Sequence, residues 1–397
     1  MQKVLLQHLA QRVNGRVTVR HATSVAIARI HAQKETWAES LLYFSGKMTT
    51  KSLKYIKSYH SARLKMVVRF VESEDPKALK KALNALKVGA WFEGLRMRLG
   101  QSTAYGLGQR LQPHTYQNGL HHHNLWAKYA SGKHLPGAET VRVCKQALPR
   151  SSDLLEDPAW DLLDVSRPLG SQGDTLLKRL RPTIQNAIFD ERSLIMGRYV
   201  RRRAPTQPLH RLEGQADLQA VAATVILLRE AFEAGNHSRS FGIGRSLHST
   251  LLMAVIGTDL RGIGPELFEF FIRCIFPMAA DKEIALDLDH QVLHAQADWL
   301  NHAVMQLEDA GWTGYVPGGS TRQLRRLLQV NFGFDLLFGL GPRLKLILPS
   351  DQASDDARRW VGSNNVAWEW AASVLHAGRR ERLIPDDVVN RMAAAKA

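Results

Sequence analysis

His121-His122-His123-Asn124-Leu125-Trp126-Ala127-Lys128-Tyr129-Ala130-Ser131-Gly132-Lys133-His134-Leu135-Pro136-Gly137-Ala138-Glu139-Thr140 is the stretch of this 397-residue chain on which the fold reading turns. Residues 121–131 read as a helix with hydrogen-bonding side chains at its start and aromatic anchors, Trp126 and Tyr129, further on. Gly132 suits the position just past a helix end, and Pro136 opens the way into a second helix over 137–148. Leu125 and Tyr129 share one face at four-residue spacing, which would pin the helix to its own core.

Upstream, Asp75 can cap and Pro76 suits a first turn, so a helix is expected from Lys77 through about Arg98, ending near Gly100. Ser102 is expected to cap a short helix to Leu111, weakened by Gly106 and Gly108. A break with Asn118-Gly119 at its tightest point precedes His121. This arrangement resembles the Cro/C1-type (repressor-like) helix-turn-helix family over about residues 82–148. The resemblance implies that Tyr129 plugs the core and that Gly132 to Pro136 form the turn. Thr140, Val141 and Val143 would start the packing face of the next helix. It also implies that His121, His122, His123 and Asn124 face the major groove, where Asn pairs with adenine and His donates to guanine or phosphate. Lys128, Lys133 and His134 would serve phosphates. The segment 112–120 is longer than the tight turn of that family.

Charge distribution points the same way. Residues 1–150 hold 25 Lys+Arg against 7 Asp+Glu, a net of +18, and residues 151–397 hold 28 against 30, a net of −2, which together make the +16 of the chain. Such asymmetry marks an anionic polymer as partner, duplex DNA before RNA and nucleic acid before membrane. The densest basic stretch is 46–71, GKMTTKSLKYIKSYHSARLKMVVRFV, where Lys51, Lys54, Lys57, Arg63 and Lys65 lie around an apolar helical face. The DNA reading requires this stretch and the 121–131 helix to present one positive face.

The expected fold is mostly α: a helix-turn-helix-containing basic N-terminal module followed by a larger helical domain. The expected division is a basic segment 1–75, a helix-turn-helix-like domain 76–164, and a helical domain 176–397 for oligomerisation, ligand or partner binding. Residues 165–175 (VSRPLGSQGDT) read as the linker and 197–215 as a second basic, proline-containing loop. Residues 17–30 mix strand and helix cues. From 216 onward apolar residues recur at three- and four-residue spacing without strand–helix alternation, which disfavours a nucleotide-binding α/β domain.

Other chemistry is weakly signposted. Adjacent histidines on a helix point about 100° apart, so His121–His123 do not make a metal site by themselves. Phe241-Gly242-Ile243-Gly244-Arg245 reads as a Gly-rich turn more readily than as a phosphate-cradling loop. Asp281, Glu283, Asp287 and Asp289 read as a solvated helix start. Trp368 and Trp370 lie on different helix faces, which leaves one free for a partner, such as a second copy in a homodimer through the C-terminal helices. No cofactor is called for. Two cysteines, Cys144 and Cys274, suit a reducing, cytoplasmic compartment, and MQKVLLQHLAQR is too short in apolar residues for a secretory signal. The expected function is therefore a DNA-binding protein, a transcriptional regulator or a mobile-element or phage-defence-associated binder, more readily than an enzyme. The alternatives are a nuclease effector of such a system, or an adaptor for RNA or a protein partner.

Overall fold

A computed structural model describes residues 50–72, 75–116, 124–204, 206–257, 259–309, 320–329, 335–377 and 383–395. The strand or helix cues at 17–30 lie outside them, as does most of the expected 1–75 segment. The fold is mostly helical, as the periodicity predicts, with one two-stranded antiparallel sheet among the described residues. We label the helices used below α1 (Thr50–Val71), α2 (Pro76–Arg98), α3 (Ala104–Leu111), α4 (Leu125–Ala130), α5 (Ala138–Ala147), α6 (Leu218–Glu233), α7 (His237–Gly257), α8 (Gly264–Phe270), α9 (His290–Asp309) and α10 (Asp355–Ala377). Strand β1 (Ile284–Asp287) pairs with β2 (Arg343–Leu346), with Ile284 opposite Leu346 and Asp287 opposite Arg343.

Helix α2 starts as expected: the Asp75 carboxylate accepts from the Lys77 N–H at 3.0 Å, and Pro76 occupies the first turn. Its length then serves two cores. Leu83, Leu86 and Ala90 form one stripe and join the large core. Val88, Trp91, Phe92, Leu95 and Leu99 form another stripe and build a smaller, aromatic-rich core with α3, α4 and α5. The domain boundary expected near residue 76 therefore cuts through continuous packing, since Val67 of α1 also joins the large core.

The large core is centred on α6 and α7. Leu218 and every residue from Ala220 to Arg229 are buried, as expected of a helix that is apolar nearly all round. Its start is fixed by Asp217, whose carboxylate accepts from the Ala220 N–H at 3.0 Å. The expected linker at 165–175 packs against this core instead of running free. Leu169 is buried, and the N–H groups of Leu169 and Gly170 donate to the Glu233 carboxylate at 2.6 and 2.9 Å. Burying that backbone is affordable only because the carboxylate satisfies it.

Four further expectations change. Phe241 to His248 lie inside α7, so these N–H groups belong to a helix interior and form neither a turn nor a phosphate cradle. The second half of the 197–215 loop is a helix, Gln207–Gln215. The acidic run is shared between two elements: Asp287 is in β1 beside Arg343 at 3.2 Å, and only Asp289 acts at a helix start, accepting from Val292 at 2.7 Å. In α10, Trp370 is buried and Trp368 is half-buried with its indole N–H donating to the Gly341 carbonyl at 3.0 Å, so neither is the free aromatic expected. No helix among the described residues is long and apolar enough to cross a membrane.

Candidate nucleic-acid interface

The α3–α4–α5 unit is held by an aromatic box. The Trp91 and Trp126 rings stack with centroids 6.0 Å apart, and Tyr129 meets both edge-on at 5.6 Å. Tyr129 is buried, as the family resemblance implies, and Thr140 is buried beside it with the hydroxyls 3.5 Å apart. Val141 and Val143 are half-buried against the same core. Helix α3 forms despite its glycines, one residue later than expected, because Thr103 caps the Gly106 N–H at 3.0 Å. Gly108 is required by close approach: a Cβ there would lie 2.4 Å from the Tyr116 ring and 2.6 Å from that of Trp126.

Gly132 stops α4 as the sequence predicts. It sits at φ +68°, the Lys133 N–H donates back to the Lys128 carbonyl at 2.9 Å, and the Gly132 N–H to Tyr129 at 2.9 Å. This is a glycine-closed helix end in which the left-handed residue turns the chain. A Cβ at Gly132 would also lie 2.9 Å from the Ala85 carbonyl oxygen, so the turn is pressed onto α2. The helix itself covers only 125–130, shorter than the 121–131 expected. Asn124 precedes it at φ +45°, exposed, with its side chain not spent on a cap. Lys128, Lys133 and His134 are exposed. His121, His122 and His123 lie outside the described residues, as do the side chains of Lys51 and Lys54 on α1.

Arg63, counted among the phosphate-contacting cations, is a structural residue. Its side chain is fully buried, with Nε 2.7 Å from Glu266 and a terminal nitrogen 3.3 Å from Glu93. It also donates to the Ala130 carbonyl, tying α1 to the end of α4. Glu93 is in turn 2.7 Å from Arg96, and His60 lies 3.0 Å from Glu266. Burial opposes the charges of Arg63, Glu93 and Glu266, yet mutual attraction prevails at all three. The Arg63 guanidinium is held above its ordinary pKa by Glu266 and Glu93. Arg63 and His60 draw the Glu266 carboxyl down to about 2, and Arg96 and Arg63 lower that of Glu93. No phosphate reaches Arg63 in this fold.

The exposed cations of α1 lie on its other side. At about 100° per residue, Lys57, Lys65 and Arg69 stand roughly 120°, 200° and 240° around the helix from Arg63. All three are exposed. Sequence reasoning passed over their neighbours Lys77, Lys80, Lys81 and Lys87 on α2, although their three- and four-residue spacing was a readable signal. Lys81 sits 5.7 Å above the Phe70 ring, which brings this second row beside the Arg69 end of α1. None of these seven side chains has a carboxylate partner among the described residues. The nearby acids among the described residues are engaged elsewhere: Glu72 with Arg273 at 3.0 Å, and Asp75 in its cap.

The cations of 139–156 behave differently. Arg142 pairs with Glu139, Lys145 with Glu156 and Arg150 with Asp153, all at 3.0 Å or less. The expectation of one shared positive face meets a geometric obstacle. Arg63 reaches the end of α4 from the buried side of α1, whereas the lysine stripe of α1 points the opposite way. No group of three His, Cys, Asp or Glu side chains among the described residues could hold a metal ion. No family model, curated protein or solved structure matches this chain.

Proposed function

We propose that this chain binds nucleic acid, duplex DNA first, by gripping the phosphate backbone with the exposed cations of α1 and α2. The role that fits is a DNA-binding regulator or a mobile-element- or defence-associated binder. The carrying observation is the contrast in pairing: Lys57, Lys65 and Arg69 of α1 and Lys77, Lys80, Lys81 and Lys87 of α2 have no carboxylate partner among the described residues, while the cations that follow in 139–156 are matched one to one. Unpaired surface lysines retain their full charge for a polyanion and release its condensed counterions on contact. Phosphate contacts of this kind fix position on the duplex and carry no base sequence by themselves. Lys128 in α4 and Lys133 past its turn supply a second, smaller set of cations, with the exposed His134 beside them.

Electrophoretic mobility shifts and fluorescence anisotropy with duplex DNA at rising salt test the proposal. The logarithm of affinity should fall linearly with the logarithm of salt, with a slope of about −0.9 per phosphate neutralised. Salt-independent affinity, or no binding even at low salt, overturns it. Competition by single-stranded RNA at equal phosphate concentration decides between DNA and RNA as the preferred polymer.

A further inference from the structure

A second cluster of cations lies far along the chain from α1 and α2, and it lines a cavity. The chain turns back on itself at Phe189 and Arg201, which form an isolated antiparallel bridge. Arg201, Arg202 and Arg203 follow at the exit of this turn, opposite Arg239 in the first turn of α7. Between them is a cleft of about 480 Å³. Its floor is apolar, formed by the buried side chains of Ile188, Leu227 and Ile243.

The four arginines are not equivalent. Arg201 is spent: it spans Asp174 at 2.6 Å and Glu230 at 2.7 Å, which are the two carboxylates lining the cleft. That double pairing fixes the wall and removes both acids as competitors for an incoming anion. Arg202 donates to the Asn186 carbonyl at 2.7 Å, and Arg211 donates to the same oxygen at 3.3 Å. Burial, and then the like charge of Arg211, hold the Arg202 guanidinium below its ordinary pKa. Two guanidinium groups thus share one carbonyl, and the carboxylates of Asp190 and Glu191, close enough to act on Arg202, offset this only in part. Arg203 and Arg239 are exposed, and their guanidinium groups have no hydrogen-bond or ion-pair partner among the described residues. Arg239 is close enough to Glu230 to lower its carboxyl pKa, whereas burial of Glu230 acts first and raises it. Four positive charges against two negative ones leave the lining at a net of +2.

We infer that this cleft binds a small phosphate monoester, with the phosphate held by Arg202, Arg203 and Arg239 and the organic part seated on the apolar floor. Three observations set the class. The uncompensated charge matches the −1.5 to −2 that a phosphate monoester carries near neutral pH. Guanidinium forks suit the oxygens of a phosphate better than a point charge does. The volume falls within the roughly 300–1,000 Å³ usual for small-ligand sites, more than an inorganic ion fills, and the apolar floor offers a seat for an organic group. A free nucleotide and the phosphorylated 5′ end of a nucleic acid strand share this chemistry. The inference stands independently of the α1–α2 interface.

Isothermal titration of the full chain with adenosine 5′-monophosphate, uridine 5′-monophosphate and phenyl phosphate tests it. At least one monoester should bind more tightly than inorganic phosphate, and adenosine, uridine and phenol should bind far more weakly than their esters. Failure of all three monoesters to bind at millimolar concentration overturns the inference. So does binding no tighter than that of inorganic phosphate. Arg203→Ala and Arg239→Ala should each weaken binding roughly tenfold or more, the worth of a charge-assisted hydrogen bond. Both side chains are exposed and unpartnered, so melting temperature should not move; unchanged affinity in the double variant also overturns the site. A 5′-phosphorylated octanucleotide and its dephosphorylated form separate the two sources: a phosphate-dependent difference that the double variant abolishes assigns the strand end, and binding of the monoesters alone assigns a free ligand. Lys57→Glu with Lys65→Glu should leave monoester affinity intact while weakening duplex binding, so the two sites fail separately.

Discussion

The two sides of α1 treat positive charge in opposite ways. On one side Arg63 is buried between Glu266 and Glu93, holding α1 to α2, α8 and the end of α4. On the other, Lys57, Lys65 and Arg69 stand exposed without carboxylate partners among the described residues. The residue types are the same and the positions interleave. What separates a structural cation from one available to a ligand is what lies across from it, and for Arg63 that is supplied by residues 30 and about 200 positions away.

Breaking the buried side should have the largest effect. Arg63→Ala removes the partner that Glu266 and Glu93 share, leaving His60 beside one and Arg96 beside the other, and loss of one partner from a buried cluster destabilises by about 3–5 kcal/mol. Chemical denaturation should show this loss, and Arg63→Lys should recover little of it, because one ammonium cannot replace the fork that serves Glu266, Glu93 and Ala130 together. A melting temperature unchanged in Arg63→Ala would show that the network is dispensable.

Acid titration probes the same side without mutation. The folded-state pKa of Glu266 is depressed, so its contribution is present above the unfolded value of 4.5 and lost as pH falls through about 2. A shift of that size corresponds to about 3 kcal/mol, lost over the window from about pH 4.5 to 2. Glu93 is lowered in the same direction and steepens the loss. Stability measured by urea unfolding across this window should fall, and Glu266→Gln should flatten the slope. A slope equal in both chains rules out Glu266 as its source.

Gly132→Ala is the next smaller break, in the turn that Arg63 helps to hold. The left-handed backbone at φ +68° disfavours alanine by about 1 kcal/mol, and the contact with Ala85 adds to it. A destabilisation of roughly 1–3 kcal/mol is expected, whereas Gly137→Ala, where a Cβ meets open space, should be nearly neutral. Equal effects at the two glycines would mean that the turn does not rely on its conformation.

The exposed side should show the smallest stability effect and the clearest binding effect. Lys57→Ala, Lys65→Ala and Arg69→Ala should each change stability by no more than about 0.5 kcal/mol. Each should reduce the salt slope of DNA binding by about one. A salt slope that survives all three substitutions would move the interface away from α1.

Much of the local architecture was legible. Asp75-Pro76, Gly100 and Gly132 act through their own backbone neighbours, so their roles at helix ends follow from a few residues of sequence. Tyr129 as a core anchor follows from its spacing to Leu125 and from its place ahead of the glycine. Arg63 was misread because net charge was counted without phase. It stands four residues after Tyr59 and four before Val67, on the stripe that carries α1 into the core. Read by period, it is an interior position; read by composition, it is one more cation in a basic run. The Phe241–His248 glycines were misread for a related reason, since glycine tolerates a helix when its neighbours are apolar and packed, and Gly244 lies against Ala279.

By itself the sequence determined the helical class, several helix ends and the charge asymmetry, because these depend on residues within a few positions of one another or on a simple sum. The tertiary structure decided which cations are available. It brought Glu266 to Arg63 and Glu233 to the 169–170 backbone. It also set Asp174 and Glu230 against Arg201, so that Arg203 and Arg239 were left open to the cleft. Charge pairing acts over a few ångströms in space, and distance in space is what a linear chain does not record.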